Sequence, residues 1–253
     1  MSSRGIRLAS LLTRIARTGL CAFDAAGRIR LLRRHGALDA AAQARLLQRI
    51  AQEILEVHGV CVEVVGSLPP LPALVVSNHV SWLDPFVIMA QVPCLPVAKS
   101  EVSAWPVVGP IAQESGVHFV CRDSALSKAR VVRCVAATLS TGTSVLNFPE
   151  GTTSDGTALL PFRAGAFRAA RTAGVPVAPV AISYRCDGMA WTGDASFVPH
   201  YLNLLRRDAC PVRLQFGDPL HARSVTELEL ARRAHRAVLL GLREVRDGAA
   251  VGA

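Results

Sequence analysis

From Gly59 onward, short apolar runs alternate with helical patterns, and this alternation constrains the fold more than any other feature of the chain. The runs Cys61–Val65, Leu74–Ser77, Leu95–Ala98, Val117–Val120, Ser144–Phe148, Val177–Ile182 and Val212–Phe216 read as strands. Between them, Pro85–Gln91, Ser124–Leu139, Arg163–Thr172 and Thr226–Val245 carry helical spacing. Strands separated by helices predict an α/β domain with a mixed, largely parallel sheet flanked by helices. Such a sheet buries both faces, and a chain of 253 residues that is 51% hydrophobic and 19% charged has the material to do so.

Ahead of this domain, residues 1–58 read as a basic, amphipathic helical arm, with residues 59–253 forming the body. In residues 4–20, Leu8, Leu11, Leu12, Ile15 and Gly19 share a helical face, and Arg7, Arg14 and Arg17 fall on another. Ile6 and Leu20 lie off that stripe. Asp39 is placed to cap a second helix running to about His58, with Leu46, Leu47, Ile50, Ile54 and Val57 on one side. Residues 1–34 hold eight arginines against Asp24 alone, so seven of the nine net positive charges lie here. An anionic surface is the partner this implies. With aromatics at 5%, stacking on nucleic-acid bases is disfavoured, and no nucleic-acid partner is expected. The apolar stripe points to lipid headgroups, as for an interfacial helix. No run of eighteen apolar residues occurs, so the expectation is a peripheral protein on the cytoplasmic face of a membrane, without a transmembrane helix. Seven scattered cysteines without CxxC spacing indicate neither a zinc site nor a disulfide framework.

Chemistry is concentrated at the ends of two strands. Asn78-His79-Val80-Ser81-Trp82-Leu83-Asp84 follows Ala73-Leu74-Val75-Val76. Imidazole can take a proton from an alcohol near neutral pH, and a carboxylate five residues on can orient it and stabilise the imidazolium. Downstream, Phe148-Pro149-Glu150-Gly151-Thr152-Thr153-Ser154-Asp155-Gly156 follows a second buried-strand pattern. The glycine spacing from Gly151 to Gly156 imitates a P-loop, but Thr157-Ala158 stands where lysine and serine or threonine are needed. The serine-hydrolase elbow and the dinucleotide fingerprint are both absent.

Taken together, the HxxxxD pattern from His79 to Asp84 and the block Phe148–Ser154 resemble the glycerolipid acyltransferases, particularly the bacterial 1-acyl-sn-glycerol-3-phosphate acyltransferases. Two further blocks fall in family order: Gly116-Val117-His118-Phe119-Val120-Cys121-Arg122 and Val175-Pro176-Val177-Ala178-Pro179-Val180. Lys99-Ser100-Glu101 with Trp105-Pro106, and Pro161–Ala166, also have counterparts. The resemblance covers about residues 60–220.

It implies transfer of a fatty acyl group from a thioester, acyl-CoA or acyl-carrier protein, to the free hydroxyl of a lysophospholipid. His79 would be the general base and Asp84 its partner. Arg122 would hold the acceptor phosphate, with Asn78, Lys99, Glu150, Gly151 and Thr152 also lining the substrate site and Arg163 a secondary phosphate contact. Thioester and lysolipid are the only co-substrates implied, and neither a metal nor a redox cofactor is. Two alternatives accompany this reading: an acyltransferase for lyso-ornithine lipid, and an inactive membrane-binding protein on the same fold.

Overall fold

The computed structural model describes residues 3–36, 38–105, 108–192, 197–223 and 225–250; the side chains of 3–10 and 246–250 lie outside the description. The chain runs α1 (Ser3–Arg34), α2 (Ala40–Val57), β1 (Val60–Val65), β2 (Leu74–Ser77), α3 (Asp84–Gln91) and β3 (Cys94–Lys99). A 3-10 turn (Ser100–Ala104), α4 (Val108–Glu114), β4 (His118–Val120), α5 (Ala125–Ser140) and β5 (Ser144–Asn147) follow. The chain closes with α6 (Gly165–Ala173), β6 (Val177–Tyr184), α7 (Phe197–Leu205), β7 (Cys210–Phe216) and α8 (Glu227–Ala250).

All seven strands join one sheet in the order β1-β7-β6-β2-β5-β3-β4. Pairing is parallel throughout except between β6 and β7. The expected mixed, largely parallel sheet is therefore present. Its two-residue period sorts the core. Val75 and Leu146 face one cluster with Leu47, Ala51, Leu83 and Ile88 of the α2 and α3 side. Leu74, Val76 and Val145 face the other, with Leu139, Phe167, Leu230 and Ala234 of α5, α6 and α8. Full burial of a leucine or phenylalanine in such a layer contributes about 1.5–3 kcal/mol.

The predicted strands and long helices are all present, most with ends shifted by a residue or two; α8 runs five residues further, to Ala250. Two short helices, α4 and α7, were not legible in the sequence. Each carries a proline in its first turn, Pro110 and Pro199, where the missing N–H costs nothing, and each is too short to display a hydrophobic period.

Of the segment 1–58, α2 is built into the core through Ala44, Leu47, Ala51 and Leu55, and Asp39 caps it by accepting from Ala42 N at 2.7 Å. Helix α1 lies outside α2 and extends to Arg34, well beyond the expected residue 20. Its inward side is Ala25 and Ile29 against Leu46 and Ile50, with Arg28 paired to Asp24 and to Glu53 at 2.8 Å. Arg14 donates to the carbonyls of Leu205 (3.2 Å) and Arg207 beyond α7. The outward side exposes Leu12, Ile15, Leu20, Phe23 and Leu31, Phe23 to 81%, interspersed with the exposed Arg17, Arg30, Arg33 and Arg34. Leu20 thus belongs to the exposed stripe, while Leu11 is half-buried. The expected contributions of Ile6, Arg7 and Leu8 lie outside the described side chains, and Pro106 outside the described residues. Among the described residues, no helix is long and apolar enough to cross a membrane.

Candidate active site

Parallel pairing brings the C-terminal ends of β2, β5, β3, β4 and β6 to one edge of the sheet, where α/β folds gather ligand-binding groups. Strand β2 stops at Ser77 and hands the chain to Asn78 and His79. Asp84 opens α3, and its negative charge is favoured at that helix's N-terminus.

His79 Nδ1 lies 2.8 Å from Asp84 Oδ2. The same oxygen accepts from Val80 N at 2.6 Å and Ser81 N at 2.9 Å, so the loop wraps around the carboxylate. Asp84 is wholly buried, whereas the His79 side chain is 17% exposed. Since an ionised carboxylate only accepts, Nδ1 carries the proton in the neutral ring and Nε2 presents a lone pair. Phe148 stacks on the imidazole with centroids 4.0 Å apart. The backbone is pinned on both sides: Ser154 N donates to His79 O at 2.8 Å, and Trp191 N to Val80 O at 2.9 Å.

Two residues expected to touch substrate face the protein instead. Glu150 is buried, its Oε1 accepting from His79 N at 2.7 Å and Oε2 from Leu160 N at 2.9 Å. Burial pushes its carboxyl pKa up, against the pull of those backbone N–H groups. Asn78 is buried too; its amide donates to Ile182 O at 3.0 Å and accepts from Ile182 N at 2.9 Å. It therefore imitates a strand residue and stitches β2 to β6 where the ladder ends. In both residues every strong side-chain polar atom has a backbone partner.

The remaining residues form a cationic rim. Gly151 has φ +76°, where a side chain is strained, and a Cβ there would meet the Arg163 guanidinium at 3.1 Å and push it aside. Arg163 reaches this position because its backbone N–H is held by Pro149 O at 2.9 Å. Arg122, half-buried on the turn between β4 and α5, has its pKa lowered by burial and then by Arg163. Among the described residues neither guanidinium makes an ion pair. Lys99, at the exposed end of β3, is paired with Glu101 at 2.7 Å, and that contact holds the Glu101 carboxyl down to about 2. Thr152 is exposed beside Gly151. Arg122 and Arg163 act on each other electrostatically, with the Glu101 carboxylate also acting on Arg122, and guanidinium groups are well suited to binding anions.

Sequence reasoning missed one participant. Tyr184, the last residue of β6, donates from its hydroxyl to Asp84 Oδ1 at 2.6 Å. The available signal was a polar-tipped side chain ending an apolar strand at the same sheet edge.

An imidazole with Nδ1 held by Asp84 and the guanidinium groups of Arg122 and Arg163 thus stand on the loops that follow β2, β4 and β5. A model of the acyltransferase family matches residues 60–183. The chain is 39% identical over 186 residues to a lyso-ornithine lipid O-acyltransferase of Pseudomonas aeruginosa, covering 72% of each. It is 36% identical over 162 residues to a 1-acyl-sn-glycerol-3-phosphate acyltransferase of Neisseria meningitidis, covering 63% of this chain and 62% of that one. The crystal structure of a 1-acyl-sn-glycerophosphate acyltransferase from Thermotoga maritima superposes with a TM-score of 0.69 at 22% identity, over 96% of this chain and 97% of that one, and shares the fold. The chain belongs to the acyltransferase family.

Proposed function

We propose that this protein transfers a fatty acyl group from a thioester, acyl-CoA or acyl-carrier protein, to the free hydroxyl of a lysolipid with an anionic headgroup. The first reading of the acceptor is 1-acyl-sn-glycerol-3-phosphate. The observation that carries the proposal is that Asp84 occupies His79 Nδ1, leaving Nε2 without a protein partner among the described residues, on a sheet edge that also carries Arg122 and Arg163. In this reading His79 Nε2 takes the hydroxyl proton, and Asp84 stabilises the imidazolium. The oxygen attacks the thioester carbonyl, and the carbon–sulfur bond breaks to release the thiol. General-base assistance of this kind is worth about 10²–10⁴ in rate. Ser81, fully buried, is out of reach as a nucleophile, so no acyl-enzyme is needed. Arg122 and Arg163 hold the headgroup anion, with Lys99 and Thr152 at the rim; Asn78 and Glu150 shape the loop.

A second acceptor, lyso-ornithine lipid, is favoured by two observations. The Pseudomonas aeruginosa relative of that name aligns over more of the chain than the Neisseria meningitidis one. An ornithine headgroup also offers a carboxylate for the arginines and an ammonium, for which the ionised Glu101 is a partner.

The protein works at a membrane surface in this reading, with the exposed apolar stripe of α1 and its arginines against an anionic, cytoplasm-facing leaflet. The deciding experiment presents both lysolipids and both thioester donors to the purified enzyme, its His79→Ala variant and its Glu101→Gln variant. Turnover that His79→Ala abolishes supports the chemistry. Loss confined to lyso-ornithine lipid in Glu101→Gln identifies that acceptor, and turnover of neither lysolipid refutes the proposal.

A further inference from the structure

We infer that Tyr184 is a positioning residue for the His79–Asp84 pair, its hydroxyl fixing the second oxygen of Asp84 so that the first faces His79 in one orientation. The inference rests on the proposed role of His79 and Asp84 and adds a residue from a distant strand.

The argument begins with the carboxylate. The terminal torsion of aspartate is broad and two-fold, so packing alone does not decide which oxygen meets the imidazole. Here three donors converge on Oδ2: His79 Nδ1, Val80 N and Ser81 N. Among the described residues only the Tyr184 hydroxyl donates to Oδ1. With donors on both oxygens, the carboxylate cannot swing without breaking bonds on each side.

Register places the tyrosine. Strand β6 runs parallel to β2 with Val180 opposite Ser77, and antiparallel to β7 with Tyr184 opposite Val212. Its hydroxyl is therefore delivered beyond the end of β2, under the loop that holds His79. Burial, followed by the charge of Asp84, raises the phenol pKa well above its ordinary value, so the group stays a donor at any working pH. Tyr184 also lines a cavity with Asn78, Cys186 and Met189.

The hydroxyl acts on electronics as well as position. By donating to Asp84 it draws charge from the carboxylate, and so tempers the stabilisation of the imidazolium. Removing it leaves a more basic carboxylate facing His79, which keeps the imidazolium protonated to higher pH. The other titratable groups around the pair are Glu150 from the loop after β5, Cys186 at the end of β6 and Cys210 on β7. Neither variant below alters them.

Tyr184→Phe should lower kcat about tenfold, the scale of one charge-assisted hydrogen bond, with the lysolipid KM unchanged. The acid limb of kcat/KM should move to higher pH. The chain contains only two tyrosines, Tyr184 and Tyr201. In a Tyr201→Phe background, replacing tyrosine by 3-fluorotyrosine modifies Tyr184 alone and makes its hydroxyl a stronger donor. Measured against unlabelled Tyr201→Phe, the limb should then move to lower pH, and this second protein keeps the test open if Tyr184→Phe does not fold. A packing role would lower activity without moving either limb. An unmoved limb in both proteins overturns the inference whatever happens to kcat. Retained turnover in His79→Ala would instead remove the base itself. A dead His79→Ala with unmoved limbs removes only Tyr184.

Discussion

Asp84→Asn isolates the charge of the buried carboxylate from its shape. The amide is nearly isosteric, its oxygen can still accept from His79 Nδ1, Val80 N and Ser81 N, and the Tyr184 hydroxyl can turn to accept from the new NH₂. The fold should therefore survive, with a melting temperature close to that of the parent. What is lost is the attraction between carboxylate and imidazolium. With Nδ1 and Oδ2 2.8 Å apart, the charge centres are separated by roughly 4 Å, worth about 4 kcal/mol at an effective dielectric of 20. At 1.36 kcal/mol per decade that is about 10³ in kcat, trimmed toward roughly 10² by solvent reaching the 17% exposed His79. The assay is release of free thiol from the thioester donor at saturating lysolipid, repeated across pH. The acid limb should move to lower pH, opposite to Tyr184→Phe, because the imidazolium has lost its counter-charge. A folded Asp84→Asn enzyme with kcat within about threefold of the parent would refute the electrostatic reasoning.

Glu150→Gln places an NH₂ against the N–H of either His79 or Leu160; the buried mismatch should cost about 1–3 kcal/mol, read as a lower melting temperature together with lower kcat. Stability should fall as pH drops below the ordinary histidine value of 6.5, because burial depresses His58, His118 and His200 in the fold and the unfolded chain takes up protons first. Denaturant titrations between pH 7 and 5 measure this, and replacing His58 with Gln should flatten the slope. Leu12→Asp combined with Phe23→Asp removes the apolar stripe of α1 at positions that touch no core; flotation with anionic vesicles should weaken several-fold while the melting temperature holds.

How much of this was legible in sequence follows from where each residue finds its partner. Val75 and Leu146, or Leu74 and Val76, announce their two faces by alternation, so the sheet is readable from local pattern. His79 and Asp84 are readable because their partners are each other, five residues apart. Asn78 and Glu150 sit in the same motifs, yet their roles depend on Ile182 and on the backbone of His79, which only the strand order brings near. Arg163 gains its place beside Gly151 from a backbone hydrogen bond to Pro149. Tyr184 is a hundred residues from the carboxylate it holds, and its place at the end of an apolar strand does not say which group it meets. Helix α1 was legible as a helix, but its outward side was not, because the contacts that choose its inward side come from α2 and the end of α7.

With Nδ1 closed by Asp84, the imidazole has a single door for protons. In the proposed transfer, the nitrogen that receives a proton from the acceptor hydroxyl is also the one that can return it to the departing sulfur. Oxygen and sulfur must then stand on the same edge of one ring, within reach of one atom. In the direct transfer proposed above, with no acyl-enzyme, lysolipid and thioester are present together before either bond changes, and initial-rate patterns should intersect as for a ternary complex rather than run parallel.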